Sequence, residues 1–290
     1  MNFQKIYRTF CNYLETIKFS HTVFALPFAL MGMILAQRAI PPVEKIIWIL
    51  VAMIGARSGA MGFNRISDYK FDRENPRTLN WPHIKGEITI LQMVILTIIS
   101  YLIFIFAAYK LNKLCFYLSF PVIFILSFYS LTKRFTYYTH LFLGFAISLA
   151  PVGAWIAITG KFSFLPFLIS FVILFWIAGF DIFYSLQDID FDKKNSLYSI
   201  PVKYGIKRSL LIARCFHIIM MCALIYMIPV FKLGAIFATG VNITGVFLLY
   251  EHSLVKENDL SKIDKAFFSV NGWISIILFI SLLLDLLIIS

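Results

Sequence analysis

Charge is what this sequence has least of. Only 14% of its 290 residues are Asp, Glu, Lys or Arg, whereas 60% are hydrophobic, and the mean hydropathy is +0.83. A soluble fold of this size needs more polar surface, and its apolar share lies nearer roughly 45–50%. A soluble protein with a large core is therefore excluded. Cysteine is sparse too. Cys11, Cys115, Cys215 and Cys222 are scattered and form no CxxC pair, so neither a disulfide framework nor a thiolate zinc site is expected. GxSxG is absent and no Cys–His pairing is evident, which leaves a nucleophile triad without its parts.

What the chain has instead is long apolar runs. Nine are long enough to be membrane spans: 20–37, 45–63, 88–109, 113–131, 138–159, 163–187, 209–230, 233–250 and 267–289. A spanning helix needs about 20 mainly apolar residues. Backbone groups must pair inside lipid and these runs are too long for barrel strands, so the expected fold is all-α, a polytopic membrane bundle of about nine transmembrane helices. The first run is long and lacks a small-residue cleavage site, so it reads as a span rather than a cleaved signal peptide.

The net charge of +11 is distributed as in a membrane protein, not a nucleic-acid binder. Of the 26 Lys and Arg, eighteen fall in the N-terminal segment and alternate loops, six in the other loops, and Arg57 and Arg214 within spans. That bias places the N-terminus in the cytoplasm and, with nine spans, the C-terminus outside. The expected location is the cytoplasmic (inner) membrane, multi-pass.

The acids are concentrated. Eight of the 15 Asp and Glu lie between Asp68 and Glu87 or between Asp181 and Asp192. In "GFNRISDYKFDRENPRT" (62–78), Asn64, Asp68 and Asp72 stand at i, i+4 and i+8. On a helix they share one face, with Arg57 on the same stripe. In "GFDIFYSLQDIDFDKKN" (179–195), Asp181, Tyr184, Asp188 and Asp192 are spaced 3, 4 and 4, while Asp190 points elsewhere. Both groups fall on the expected cytoplasmic side. Oxygen-only ligands select a hard cation, and magnesium is usually held by one or two carboxylates plus substrate phosphates and water. Nearby Arg73, Arg77, Lys133, Arg134, Lys193 and Lys194 suit phosphate charge. The pattern points to Mg²⁺ and a polyphosphate group. The stripes sit four spans apart, so the chain reads as one domain, 1–290, of two pseudo-repeated four-helix halves, roughly 17–135 and 136–255, plus one further helix, with binding where the halves meet.

At these residues the sequence resembles the UbiA superfamily of intramembrane prenyltransferases. "NRISDYKFD" is similar to the family's NDxxDxxxD motif and "DIDFD" to its DxxxD motif. "FYSLTKRFT" (128–136) resembles the YSxxKRxT loop, and "SIPVKYG" (199–205) the segment after the second motif. Arg65 stands where the family often has Asp. A subgroup with NR here, preceded by a run like "RSGAMGFNR" and followed by "NPRT", resembles quinone-pathway enzymes.

The resemblance implies that Asn64, Asp68, Asp72, Asp188 and Asp192 hold Mg²⁺ ions that bind a polyprenyl diphosphate. Arg57, Lys133, Arg134, Tyr184 and Asp181 would line the diphosphate, and Lys18, His21 and Arg65 the acceptor. The implied reaction is transfer of the polyprenyl group to a small aromatic acid of the 4-hydroxybenzoate type. A naphthoate in menaquinone synthesis is the second acceptor. A haem farnesyltransferase type and, in a different class, a transporter of cations or organic anions stay open at this point. The tail would lie among spans opening to the lipid bilayer.

Overall fold

The computed structural model describes residues 3–19 and 22–288. They form eleven α-helices: α1 (Phe3–Thr16), α2 (Thr22–Gln37), α3 (Val43–Asp72), α4 (Ile90–Leu111), α5 (Lys113–Phe128), α6 (Thr139–Thr159), α7 (Leu165–Ser185), α8 (Ile189–Lys194), α9 (Ile200–Phe231), α10 (Ala235–Leu254) and α11 (Asn271–Ile288). Among the described residues the one extended pairing is the bridge between Lys256 and Asp259.

Among the described residues, seven helical stretches are long and apolar enough to cross a membrane: Val43–Asp72, Ile90–Leu111, Lys113–Arg134, Thr139–Thr159, Leu165–Lys194, Ile200–Phe231 and Lys265–Ile288. The sequence leads one to expect nine. The remaining two runs correspond to α2, which has only 16 residues, and to α10, whose Asn242, Glu251 and His252 dilute its apolar character. The lipid-facing surface is plain on α4, where Leu91, Ile98, Leu102 and Phe106 are all exposed. Large apolar groups left out in this way are stable in hydrocarbon and costly in water.

The chain divides into two compact units. The first comprises residues 1–22 and 47–131, and the second residues 23–46 and 132–290. The second unit includes α2 from Val23 onward.

In the first unit α3 packs closely on α4 through a stripe of small residues. A Cβ at Gly55 would run into the α4 backbone at Ser100 and Phe104, and one at Gly59 into the Tyr101 ring. Small residues are what let helix backbones approach in lipid. Tyr13 of α1 is buried and donates to the Ser58 carbonyl at 3.0 Å. Around it Ile17, Ile88 and Met93 form a core with Met61, Ile66 and Leu96. A capping box from Thr89 and Gln92 starts α4.

In the second unit, polar residues tie helices together inside an apolar core. Trp176 of α7, fully buried, packs against Phe28 and donates to Asn271 Oδ1 at 2.8 Å. Asn271 donates in turn to Glu251 Oε1 of α10 at 2.8 Å and to the Ala266 carbonyl in the π-helical turn 265–270 at 3.0 Å. His217 of α9 and His252 of α10 lie 3.0 Å apart through their ring nitrogens. Helix ends are closed by side chains: Lys45 donates to the last carbonyls of α6, Ala157 and Ile158, and Arg38 to Phe231 of α9. Asp285 accepts from the backbone N–H groups of Gly234, Ile236 and Phe237 at the start of α10. Gly205 interrupts α9 at a positive φ of 74°, kinking the helix six residues after its Ser199 cap.

Candidate active site

Thirty residues at 1.5 Å each make α3 about 45 Å long, more than the roughly 30 Å of hydrocarbon in a bilayer. The excess is the C-terminal end, which carries Asn64, Asp68 and Asp72. The helix is unbroken through Asp72, so the i, i+4, i+8 stripe exists as such. Asn64 Nδ2 donates to Asp68 Oδ2 at 3.2 Å. Asp68 and Asp72 are buried, at 3% and 8% exposure, which is uncommon for carboxylates. Asp72 Oδ2 accepts no hydrogen bond from the described residues. Its nitrogen neighbours are His83 Nε2 at 3.4 Å and the Arg65 guanidinium, whose Nη1 is 4.0 Å away.

The loop after α3 folds back beside this stripe. Thr78 Oγ1 donates to the Asp72 carbonyl at 2.6 Å, and Asn75 Oδ1 accepts from the Arg77 N–H, a local turn that Asn favours. The loop thereby delivers Trp81 and His83. The Arg65 guanidinium lies 3.9 Å over the Trp81 ring, with Lys18 and Arg77 each 5.8 Å from its centroid. Cation–π contact of this kind orients a guanidinium while leaving its N–H fork available. Arg65 also donates from Nε to the Thr16 carbonyl at 3.3 Å.

Arg57 donates to the Ile17 and Lys18 carbonyls at 3.4 and 3.1 Å. It thus closes the C-terminal end of α1, where cations are favoured. His21, expected near the acceptor, lies outside the described residues. Glu74 is exposed.

The second acidic group departs from the ideal stripe. The α-helix ends at Ser185 and a 3₁₀ turn, Leu186–Asp188, leads into the short α8. A 3₁₀ turn advances about 120° per residue instead of 100°, so three residues rotate the stripe by roughly 60°. Asp188 and Asp192 are half-buried and Asp190 is exposed. Tyr184 stacks on Phe267 at 4.4 Å. Asp181, one turn before the end of α7, takes a 2.7 Å hydrogen bond with His140 Nδ1. Lys133 and Arg134 lie in the 3₁₀ turn 129–134, where Tyr198 N–H donates to the Lys133 carbonyl at 2.7 Å.

The candidate donors are all oxygen, and a buried Asp72 oxygen accepts no hydrogen bond from the described residues. Among the described residues no three His, Cys, Asp or Glu side chains converge into a complete metal cage. A hard cation that takes few protein ligands and completes its shell with phosphate and water fits such a donor set.

Residues 25–283 match the UbiA prenyltransferase family along their whole length. The chain belongs to that family. It is an enzyme, a transferase of prenyl groups, embedded in a membrane. It is 26% identical to 4-hydroxybenzoate octaprenyltransferase of Vibrio campbellii over 263 residues, covering 91% of this chain and 89% of that one. The protein of the same name from Nitrosomonas europaea is 27% identical over 266 residues, covering 89% and 88%. Among solved structures, the apo UbiA homolog from Aeropyrum pernix K1 superposes with a TM-score of 0.84 at 29% identity, covering 92% of this chain and 98% of its own. A UbiA homolog from Archaeoglobus fulgidus bound to DMAPP and Mg²⁺ shares the fold, with a TM-score of 0.73 at 19% identity over 96% of this chain and 99% of its own.

For a UbiA-family chain, sequence spacing points to the acids but passes over their partners. Trp81, His83 and His140 carry no periodic signal. They reach Arg65, Asp72 and Asp181 only through loop folding and helix packing.

Proposed function

We propose that this enzyme transfers a polyprenyl group from a polyprenyl diphosphate to a hydroxylated aromatic acid of the 4-hydroxybenzoate type, in respiratory quinone biosynthesis. The observation that carries this is the buried Asp68–Asp72 pair on an unbroken helical face, in a chain whose relatives are named 4-hydroxybenzoate octaprenyltransferases. Asn64, Asp68, Asp72, Asp188 and Asp192 would hold Mg²⁺, which when bound supplies positive charge to the leaving diphosphate.

The chain's own residues do the rest. Lys133 and Arg134, with Arg57 and Tyr184, offset and orient diphosphate charge. Arg65, which lies over the Trp81 ring, and Lys18, with His21, meet the acceptor's carboxylate. The C1–O bond of the prenyl diphosphate breaks as the ring carbon forms its bond to C1, and no covalent enzyme intermediate is needed. α2 and α10 would complete nine crossings, with the N-terminus and the site on the cytoplasmic side of the inner membrane and the C-terminus outside.

A hydroxynaphthoate acceptor is the second reading. The guanidinium–indole stack of Arg65 and Trp81 favours it, because this flat surface would suit a fused second ring.

Membranes carrying the full chain, assayed with a labelled polyprenyl diphosphate and a panel of hydroxybenzoates and hydroxynaphthoates, test the assignment. Asp68→Asn and Asp188→Asn are expected to abolish transfer while the protein still inserts, and a chelator to stop turnover until Mg²⁺ is restored. Full activity in either variant, or turnover indifferent to the chelator, would remove the metal–diphosphate role.

A further inference from the structure

One carboxylate in the second unit has a partner unlike those of the acid stripes. Asp181 is half-buried near the end of α7, and its one hydrogen-bonding partner among the described residues is His140, at 2.7 Å between Oδ2 and Nδ1. His140 is 1% exposed. On its far side the ring's Nε2 accepts the Ile200 N–H at 3.4 Å. That N–H belongs to the first turn of α9, whose donors have no partner within the helix. Because Nε2 accepts, the ring's proton sits on Nδ1 and points at Asp181. Three elements, the starts of α6 and α9 and the end of α7, thus converge to orient a single carboxylate. Its second oxygen, Oδ1, receives no hydrogen bond from the described residues.

This arrangement is poorly suited to diphosphate. An anion beside an anion needs a cation between them, and the partner here is a neutral donor. It suits a neutral O–H that must lose its proton. We propose that Asp181 is the acceptor-side base of the transfer reaction, taking the ring hydroxyl's proton on Oδ1, and that His140 is its positioning residue. The inference rests on the hydroxyarene reading above.

In the step, the hydroxyl's O–H pair moves toward the ring as the ring carbon bonds to prenyl C1 and C1–O breaks, and the proton passes to Asp181. The substituted ring carbon then loses its hydrogen to water as a proton, and Asp181 returns the first proton to the oxygen. The balance is one C–O bond broken, one C–C bond formed, and one proton released with the diphosphate.

The test uses the full chain in proteoliposomes with Mg²⁺, geranyl diphosphate, and 4-hydroxybenzoate against its more acidic 3-fluoro and 3-chloro derivatives. Asp181→Asn is expected to lower kcat about 10²-fold with 4-hydroxybenzoate, with KM for geranyl diphosphate unchanged. The deficit should narrow as the acceptor hydroxyl becomes more acidic. His140→Phe should lower kcat roughly 10- to 100-fold, and His140→Asn, which keeps an N–H at the Nδ1 position, should recover most of it. Retained geranyl diphosphate binding identifies folded variants, and Asp181→Glu, which keeps the base, should stay partly active where Asp181→Asn does not.

Wild-type kcat in Asp181→Asn, a loss falling on KM for geranyl diphosphate, or an equal deficit with every acceptor and no rescue by His140→Asn would each overturn the assignment. If the wild type prenylates only hydroxynaphthoates, the same variants are compared across that series. A wild type that prenylates no hydroxyarene removes the functional reading, and the base with it, before any variant is compared.

Discussion

Single ionisable residues in the apolar spans of this protein do different work according to what faces them. Asp285 is 2% exposed in α11, and an acid so placed invites a functional reading. Its two oxygens instead take three backbone N–H groups at the start of α10, at 2.6, 3.1 and 3.1 Å. A helix N-terminus favours negative charge there, and the N–H groups would otherwise be unsatisfied in hydrocarbon. Asp285→Ala should therefore destabilise the fold by roughly 3 kcal/mol. A clear drop in melting temperature of the detergent-solubilised protein is expected, with transfer intact at low temperature. An unchanged melting point would show that the cap carries no weight.

At the scale of elements, helix contact in this chain depends on which glycines face a neighbour. Gly59 of α3 sits against the Tyr101 ring of α4, leaving no room for a Cβ. Tyr101 is also bonded to Ser127 of α5 at 2.9 Å, so displacing it disturbs two contacts. Gly59→Val should cost about 1–3 kcal/mol through overpacking. Gly153 of α6 is the internal comparison. No described residue lies within 4 Å of a Cβ there, and Gly153→Ala should be neutral or stabilising by up to about 1 kcal/mol. Thermal melts of the two variants check the contrast, and equal losses would mean that glycine acts here through the backbone rather than through close approach. The Trp176–Asn271–Glu251 chain works at the same scale with polar contacts, joining α7, α10 and the start of α11.

For the whole molecule, the distribution of charge sets the expected sidedness. Basic residues crowd the N-terminal segment and alternate loops, and such loops stay in the cytoplasm. With nine crossings the two termini lie on opposite faces. Reporter fusions at residue 1 and residue 290 should report cytoplasm and exterior respectively. Termini on the same face would mean an even number of crossings, with either α2 or α10 not spanning.

Local chemistry determined much of this protein. Apolar length along the chain dictates helices in a membrane, because unpaired backbone is not tolerated in lipid. The four-residue spacing of Asn64, Asp68 and Asp72 dictates a shared face, because helix geometry depends only on neighbours in sequence. Tertiary structure decided the rest. The 3₁₀ turn at Leu186–Asp188 rotates the second acid group. Arg57 also reaches the Ile17 and Lys18 carbonyls just past α1. Trp81 is set beneath Arg65, and His140 is set between Asp181 and Ile200. Each of these last contacts joins residues far apart in the chain or separated by a loop, where periodicity carries no information. They exist because packing closes several elements at once and leaves each buried polar group to find whatever partner that closure provides.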